Sequence, residues 1–264
     1  MNGAIDVHGH LGPYGPFHVP AGDADSIVRR MDALGVERLL LSHHAAFSSD
    51  YRWGNDAAAA AAERHPGRIG FYAVANPNYP GETETELTRL SSRPGFVGVK
   101  LHPNVHQHPL EGNGYKPALA WADRHGVPVL AHFWIGDRCN GADNVRAVAS
   151  RYPHVRFILA HLGGFSADGS VLLDLAAEHR NLWFDTCVSR YARDGLRTLV
   201  EKGLGARLLY GSDMPFIDPG SQLGKICYAD IPAATKAAVL GENARRRPKK
   251  SRPAAGMVLS PAAA

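Results

Sequence analysis

The sequence predicts an α/β fold, a single (β/α)8 TIM barrel. Eight short apolar segments recur at intervals of about 25 to 35 residues, room for one strand, one helix and two loops. Amphipathic stretches with helical start and stop signals lie between them. Most of the eight are near-continuous hydrophobic runs rather than alternating ones, as in strands buried on both faces of a parallel sheet. The 264 residues hold these units without a break in composition, so one domain suffices. An open doubly wound sheet competes, but eight regular units and the lack of a glycine-rich phosphate loop weigh against it.

The elements follow in order. Ala4–Val7 is the first strand segment, followed by the proline- and glycine-rich loop 11–22. A helix over Asp25–Leu34 puts Ile27, Met31 and Leu34 on one face, with Gly35 as its C-cap. The second segment is Arg38–Ser42; Asn55-Asp56 then opens an alanine-rich helix that His65-Pro66-Gly67 stops. The third is Ile69–Ala75, before a helix over Glu82–Leu90 whose early acidic residues suit the helix dipole. Val97–Leu101 is the fourth, followed by a helix over Pro117–His125 ending at Gly126. Pro128–Ala131 precedes a helix over Ala142–Arg151, which Tyr152-Pro153 ends. Arg156–Ala160 precedes Val171–His179, Leu182–Asp185 precedes Ala192–Lys202, and Arg207–Tyr210 is the eighth segment. The barrel is thus expected to occupy residues 1–244. Residues 245–264, basic and then rich in proline and alanine, are expected to be a disordered tail.

Composition removes several functions. The net charge is +4, from 29 basic and 25 acidic residues, but residues 245–252 carry six of the basic ones. Without them 23 basic face 25 acidic residues, which argues against a nucleic-acid-binding face. Three cysteines are too few for a disulfide scaffold. There is no apolar run of about 18 residues, hence no membrane span, and the start lacks a signal peptide's basic and apolar regions, hence the expectation of a cytoplasmic protein. The expected partner is a small molecule, and a homo-oligomer stays open.

Chemistry is carried by polar residues at strand ends. In Ile5-Asp6-Val7-His8-Gly9-His10, the histidines two apart share one strand face and can reach one ion. Chance alone supplies about one such pair at this histidine content, and His106-Gln107-His108 in a loop is read as that decoy. The pattern repeats, however: His102 follows the fourth segment, His132 the fifth, His161 the sixth and Asp213 the eighth, while Lys100 lies within the fourth. In a parallel barrel these ends converge on one mouth, and imidazoles with a carboxylate suit a divalent cation such as zinc. His43-His44 could line the same mouth, and Cys187 is read as a small buried filler. There is no G-x-S-x-G elbow for a serine nucleophile.

These stretches resemble the amidohydrolase superfamily, in the amidohydrolase-related branch that includes aminocarboxymuconate-semialdehyde decarboxylase. The matching motifs are IDVHGH (5–10), GVKLHP (98–103), PVLAH (128–132), LAHLG (159–163), YGSDMP (210–215) and GENAR (241–245), six in the family's order. The resemblance implies that His8, His10, His132 and Asp213 hold one divalent metal, zinc first and manganese second. It implies that His161 faces the reacting centre or a second ion, and that Lys100, carbamylated in some two-metal relatives, contacts a substrate anion here, with His102 beside it. Asp213 would also be the proton-transferring base. The expected activity is metal-dependent hydrolysis of a C–O or C–N bond in a small anionic substrate. The alternatives are non-oxidative decarboxylation of a small carboxylic acid and a non-catalytic binding barrel. The sequence departs from the family in its short first loop and in the RRPKKSRPAAG that replaces an apolar end to the last helix.

Overall fold

The computed structural model describes residues 3–16, 18–164, 169–189 and 194–246. The chain alternates strand and helix: β1 (Ala4–Leu11), α1 (Ala24–Leu34), β2 (Val36–His43), α2 (His44–Ser48), α3 (Tyr51–Arg64), β3 (Ile69–Val74), α4 (Thr83–Ser91), β4 (Phe96–Leu101), α5 (Pro103–His106), α6 (Lys116–His125) and β5 (Val129–Ala131). It continues with α7 (Ala142–Arg151), β6 (Phe157–Leu159), α8 (Ser170–Glu178), β7 (Leu182–Asp185), α9 (Gly195–Glu201), β8 (Leu208–Leu209), α10 (Pro219–Cys227), α11 (Ala233–Ala237) and α12 (Asn243–Arg245). The eight strands are parallel and pair in sequence order. The ring returns on itself where Gly9 bridges Met214, Val7 N donates to Tyr210 O (2.9 Å) and Asp213 N donates to His8 O (2.8 Å). That closure excludes the open sheet.

All eight segments became strands, with ends moved by a few residues. The larger differences have local causes. α3 begins at Tyr51 because Asp50 caps it, its side chain accepting from Trp53 N. Asn55, expected to open that helix, is buried within it and pairs with both Val74 N (2.8 Å) and Val74 O (3.0 Å). β1 runs on to Leu11, so His8 and His10 sit inside a strand rather than past its end. β8 has only two residues, and Asp213 follows it on a loop. Gly35 and Gly126 cap their helices in the left-handed conformation, as anticipated.

The core has two principal parts. One packs the helices against the outer faces of the strands. The other, Ile5, Val7, Tyr72, Leu130, Ile158, Ala160 and Leu209, is drawn from strands around the ring and plugs the barrel below its mouth. The GENAR stretch holds its place despite the basic residues after it. Asn243 is buried and donates to Gly205 O and Leu208 O (both 2.9 Å), and Arg245 reaches Glu37 (2.6 Å) and Gly3 O (2.8 Å). Arg245 is the last residue of α12. The rest of the expected tail, from residue 247, lies outside the described residues, as do residues 192 and 193 of the helix expected before Gly203. Among the described residues no helix is long and apolar enough to cross a membrane.

Candidate metal centre

β1 supplies the first two groups. His8 and His10, both buried, point the same way as the strand period requires. The third arrives from the far end of the chain. After β8 the backbone turns sharply at Asp213, whose φ is +61°, an uncommon value for a residue other than glycine. Asp213 N is tied to His8 O, and Ser212 Oγ accepts from Met214 N (3.0 Å), so the turn is held against β1. Asp213 Oδ1 thereby lies 3.0 Å from His10 Nε2 and 3.6 Å from His8 Nε2. The ligand atoms of these three residues all lie within 4.8 Å of one another.

The remote nitrogens of both imidazoles are also engaged. His8 Nδ1 lies 2.8 Å from Asp185 Oδ2, and His10 Nδ1 lies 3.2 Å from Ser42 Oγ. A carboxylate on Nδ1 makes that nitrogen the donor and leaves the lone pair on Nε2, facing Asp213. Asp6 supports the strand beneath, its Oδ1 accepting from His8 N (3.1 Å) and Ser212 N (3.0 Å). Two imidazole nitrogens and one carboxylate oxygen, buried and oriented in this way, suit a divalent cation. Lys100 competes for the same lone pair, its Nζ lying 3.0 Å from His8 Nε2.

β6 ends in an unusual turn. His161, Leu162 and Gly163 all adopt left-handed φ values, +62°, +46° and +68°. Such a run costs on the order of 1 kcal/mol per non-glycine residue and is found where surrounding contacts enforce it. Here His161 N donates to Asp185 Oδ1 (2.9 Å), and the ring bridges Cys187 O from Nδ1 (3.0 Å) and His132 Nδ1 from Nε2 (3.1 Å). The pattern reads in one direction: His161 Nδ1–H donates to the carbonyl, His132 Nδ1–H donates to His161 Nε2, and His132 Nε2 keeps its lone pair. His132 stacks on His102 at 4.2 Å and 14°, and Trp134 lies parallel to His132 at 6.3 Å and 10°.

Burial sets the charges. It depresses His10 to about 4, with His44 adding repulsion, and it lowers His8, His132 and His161 as well. It pulls Lys100 down to about 8. Burial pushes Asp213 upward, but the hydrogen bond from His10 and the attraction of His8 outweigh it and hold the carboxyl well below its usual range. Burial outweighs the hydrogen bonds that Asp6 receives from Ser212 and His8, and raises its carboxyl to about 7.

His8, His10, Lys100, His132, His161 and Asp213 form the floor and one wall of a cavity of about 300 Å³ at the barrel mouth. His44, Phe47, Tyr14, Trp134 and Phe216 are also among its lining residues. Of the residues singled out from sequence, His8, His10, Asp213, Lys100, His102, His132 and His161 all border this cavity. The three-residue ligand cluster contains His8, His10 and Asp213 but not His132, which meets His161 instead. Lys100 is deeper than a rim contact, being fully buried. His102 has two roles at once: its Nδ1 caps α5 by accepting from Val105 N (3.3 Å), and its ring lines the wall. His44 reaches the mouth and stacks on His10 at 4.5 Å. His106 and His108 bond locally to Tyr115 and Pro109, away from the cluster. Sequence reading missed Asp185 and Ser42 as orienting groups, and it took Cys187 for filler although Sγ lies 2.9 Å from Asp185 Oδ1. Asp185 was findable, since it ends its strand segment as the chosen histidines do.

Fold and family define an enzyme built on a closed parallel barrel, with a candidate cation-binding cluster at the mouth. The chain belongs to the amidohydrolase family, whose model matches residues 5–247. No curated protein matches the sequence. Among solved structures, 2,6-dihydroxybenzoate decarboxylase in complex with 2,6-dihydroxybenzoate superposes with a TM-score of 0.73 at 19% identity, over 93% of this chain and 98% of that one. The 5-carboxyvanillate decarboxylase LigW from Sphingomonas paucimobilis gives 0.71 at 16%, over 92% and 98%. A dihydroxybenzoic acid decarboxylase from Polaromonas sp. JS666, with bound manganese and the inhibitor 2-nitroresorcinol, gives 0.72 at 17%, over 92% and 96%. At these identities the likeness is one of fold.

Proposed function

We propose that the protein is a metal-dependent, non-oxidative decarboxylase of a small aromatic carboxylic acid. One observation carries the proposal: the His8–His10–Asp213 cluster floors a cavity whose wall is a set of near-parallel rings, His102, His132 and Trp134. An aromatic acid can lay its ring along that wall with its oxygens toward the floor. His8, His10 and Asp213 would hold one divalent cation, with the free lone pair of His132 Nε2 at the edge of the same cavity. When bound, the cation supplies a Lewis-acid anchor for substrate oxygens. The manganese of the Polaromonas enzyme moves manganese ahead of zinc as the cation to test first.

The chain's own groups account for the remaining steps. Lys100, as an ammonium, attracts the substrate carboxylate as a point charge. Phe47, Trp134 and Phe216 exclude water from the ring face. Asp213 and His161 are two of the ionisable groups at the cluster and cavity, and one of them, after taking a proton from solvent, would deliver it to the ring carbon that loses carbon dioxide. Hydrolysis of a C–O or C–N bond could use the same cluster with Asp213 as base. The aromatic wall, and the activity of the three neighbours named above, support decarboxylation over it.

The test supplies one equivalent of manganese to the purified chain and offers hydroxybenzoic acids alongside aryl esters and amides. Carbon dioxide should appear with the free arene, and in deuterium oxide one deuterium should enter at the vacated carbon. Release of alcohol or amine from the esters or amides, with no carbon dioxide from any acid, would overturn the proposal.

A further inference from the structure

Directly beneath the cavity floor lies a second set of donors that the proposed reaction leaves unused as ligands. Cys187 Sγ is 3.3 Å from His8 Nδ1, 3.3 Å from His161 Nδ1 and 2.9 Å from Asp185 Oδ1, and Asp185 Oδ2 is 2.8 Å from His8 Nδ1. All four residues are buried, and their ligand atoms lie within 4.8 Å of one another. A tetrahedral cation with bonds of about 2.0 Å to nitrogen or oxygen and about 2.3 Å to sulfur separates its donors by roughly 3.3–3.5 Å. The sulfur–nitrogen spacings already match, and the contacts to Asp185 need to open by about half an ångström.

We infer that His8, His161, Asp185 and Cys187 form a second cation site, selective for thiophilic ions such as zinc and cadmium, whose occupation excludes a cation from the His8–His10–Asp213 set. The donor chemistry gives the selectivity. One thiolate, two imidazoles and one carboxylate suit zinc or cadmium, whereas manganese and magnesium favour oxygen-rich sets. Two anionic donors and two neutral ones balance a divalent charge. His8 and His161 both border the cavity, which provides the way in.

The exclusion follows from tautomers. A cation on His8 Nδ1 takes the lone pair there, so the ring proton moves to Nε2, which can then no longer ligate above. The His161 proton likewise moves from Nδ1 to Nε2, and the hydrogen bond with His132 reverses. The cysteine thiol releases its proton to solvent, so one proton leaves for each cation bound. A zinc or cadmium ion below thereby disarms the manganese site above, and excess zinc acts as an inhibitor. That last consequence rests on the function proposed above; the existence of the lower site does not.

The experiment uses the full chain stripped of metal by a chelator and titrated with cadmium alone. Ultraviolet thiolate-to-cadmium charge-transfer absorption is the readout. Near-ultraviolet circular dichroism checks each variant's fold. Wild type, C227S and H10A should bind cadmium with the absorption. In C187S and C187A the absorption should vanish and cadmium affinity should fall about tenfold or more. In a second arm, cadmium added to the manganese-loaded chain should release manganese, seen by electron paramagnetic resonance, in wild type and not in C187S at the same concentration. Absorption that persists in C187S, or one manganese and one cadmium held together per chain, would overturn the inference. A chain that never binds manganese, yet shows the Cys187-dependent absorption, would count against the proposed function and leave the second site supported.

Discussion

Replacing Asp185 with asparagine tests how the centre is oriented. The carboxylate accepts from His8 Nδ1 (2.8 Å), His161 N (2.9 Å), Cys187 N (3.2 Å) and Cys187 Sγ (2.9 Å), and all of these groups are buried. An amide presents one acceptor and one donor, so it cannot serve all four. If its oxygen stays with the backbone amides, its NH2 faces His8 Nδ1 and forces the proton onto Nε2, the nitrogen needed for the cation. If it flips, His161 N and Cys187 N lose their acceptor. Losing an outer partner of a ligating histidine costs about 10- to 100-fold in metal affinity, or about 1.4–2.7 kcal/mol. The lost charge-assisted hydrogen bonds cost the fold about 1.5–3 kcal/mol each. The assay is a manganese titration followed by the resonance of the free ion, with urea unfolding alongside. A Kd within about threefold of wild type would refute the orienting role.

Four further outcomes follow from the same geometry. Asp213→Asn should cut turnover by about 10²- to 10⁴-fold while leaving the far-ultraviolet circular dichroism unchanged; full activity would remove Asp213 from the mechanism. Trp134→Ala should raise KM for an aromatic acid by about 2- to 10-fold with little change in kcat, because a stacked ring contributes about 0.5–1.5 kcal/mol. Gly164→Ala should destabilise the fold by about 1–3 kcal/mol in urea unfolding, since Gly164 has φ +74° and a Cβ there would press into the Trp134 indole. His43 is depressed by burial to about 4 and accepts from Ala45 N through Nδ1. Its contribution is present above the ordinary value of 6.5 and lost as pH falls towards 4. His43 should therefore contribute on the order of 2 kcal/mol to the stability lost between pH 7 and 4.5, and His43→Gln should lessen the total loss by about that amount in thermal melts.

The barrel was legible because its signals are local. A continuous apolar run marks a doubly buried strand, and glycine after an amphipathic stretch marks a helix end. Asn55 shows the limit of such signals: asparagine before an alanine run reads as a cap, but a partner nineteen residues away on β3 claims its side chain. Asp50, a sequence-local cap of the same chemical kind, took the role instead.

The candidate site divides along the same line. That His8, His10, His102, His132, His161 and Asp213 meet at one mouth was written in the sequence, because each lies at or near a strand end and a parallel barrel brings those ends together. What each imidazole does there was not. The choice between Nδ1 and Nε2 depends on the acceptor opposite, and for His8 that acceptor is Asp185, 177 residues away. Likewise His132 turns to His161 instead of joining the three-residue cluster, Lys100 sinks beside His8, and Cys187 becomes a neighbour of two imidazoles, while His161 and Asp213 themselves sit on backbone turns with left-handed φ. Strand position is set by hydrophobic period along the chain; ring orientation is set by hydrogen bonds across it, and those exist only once the barrel has closed.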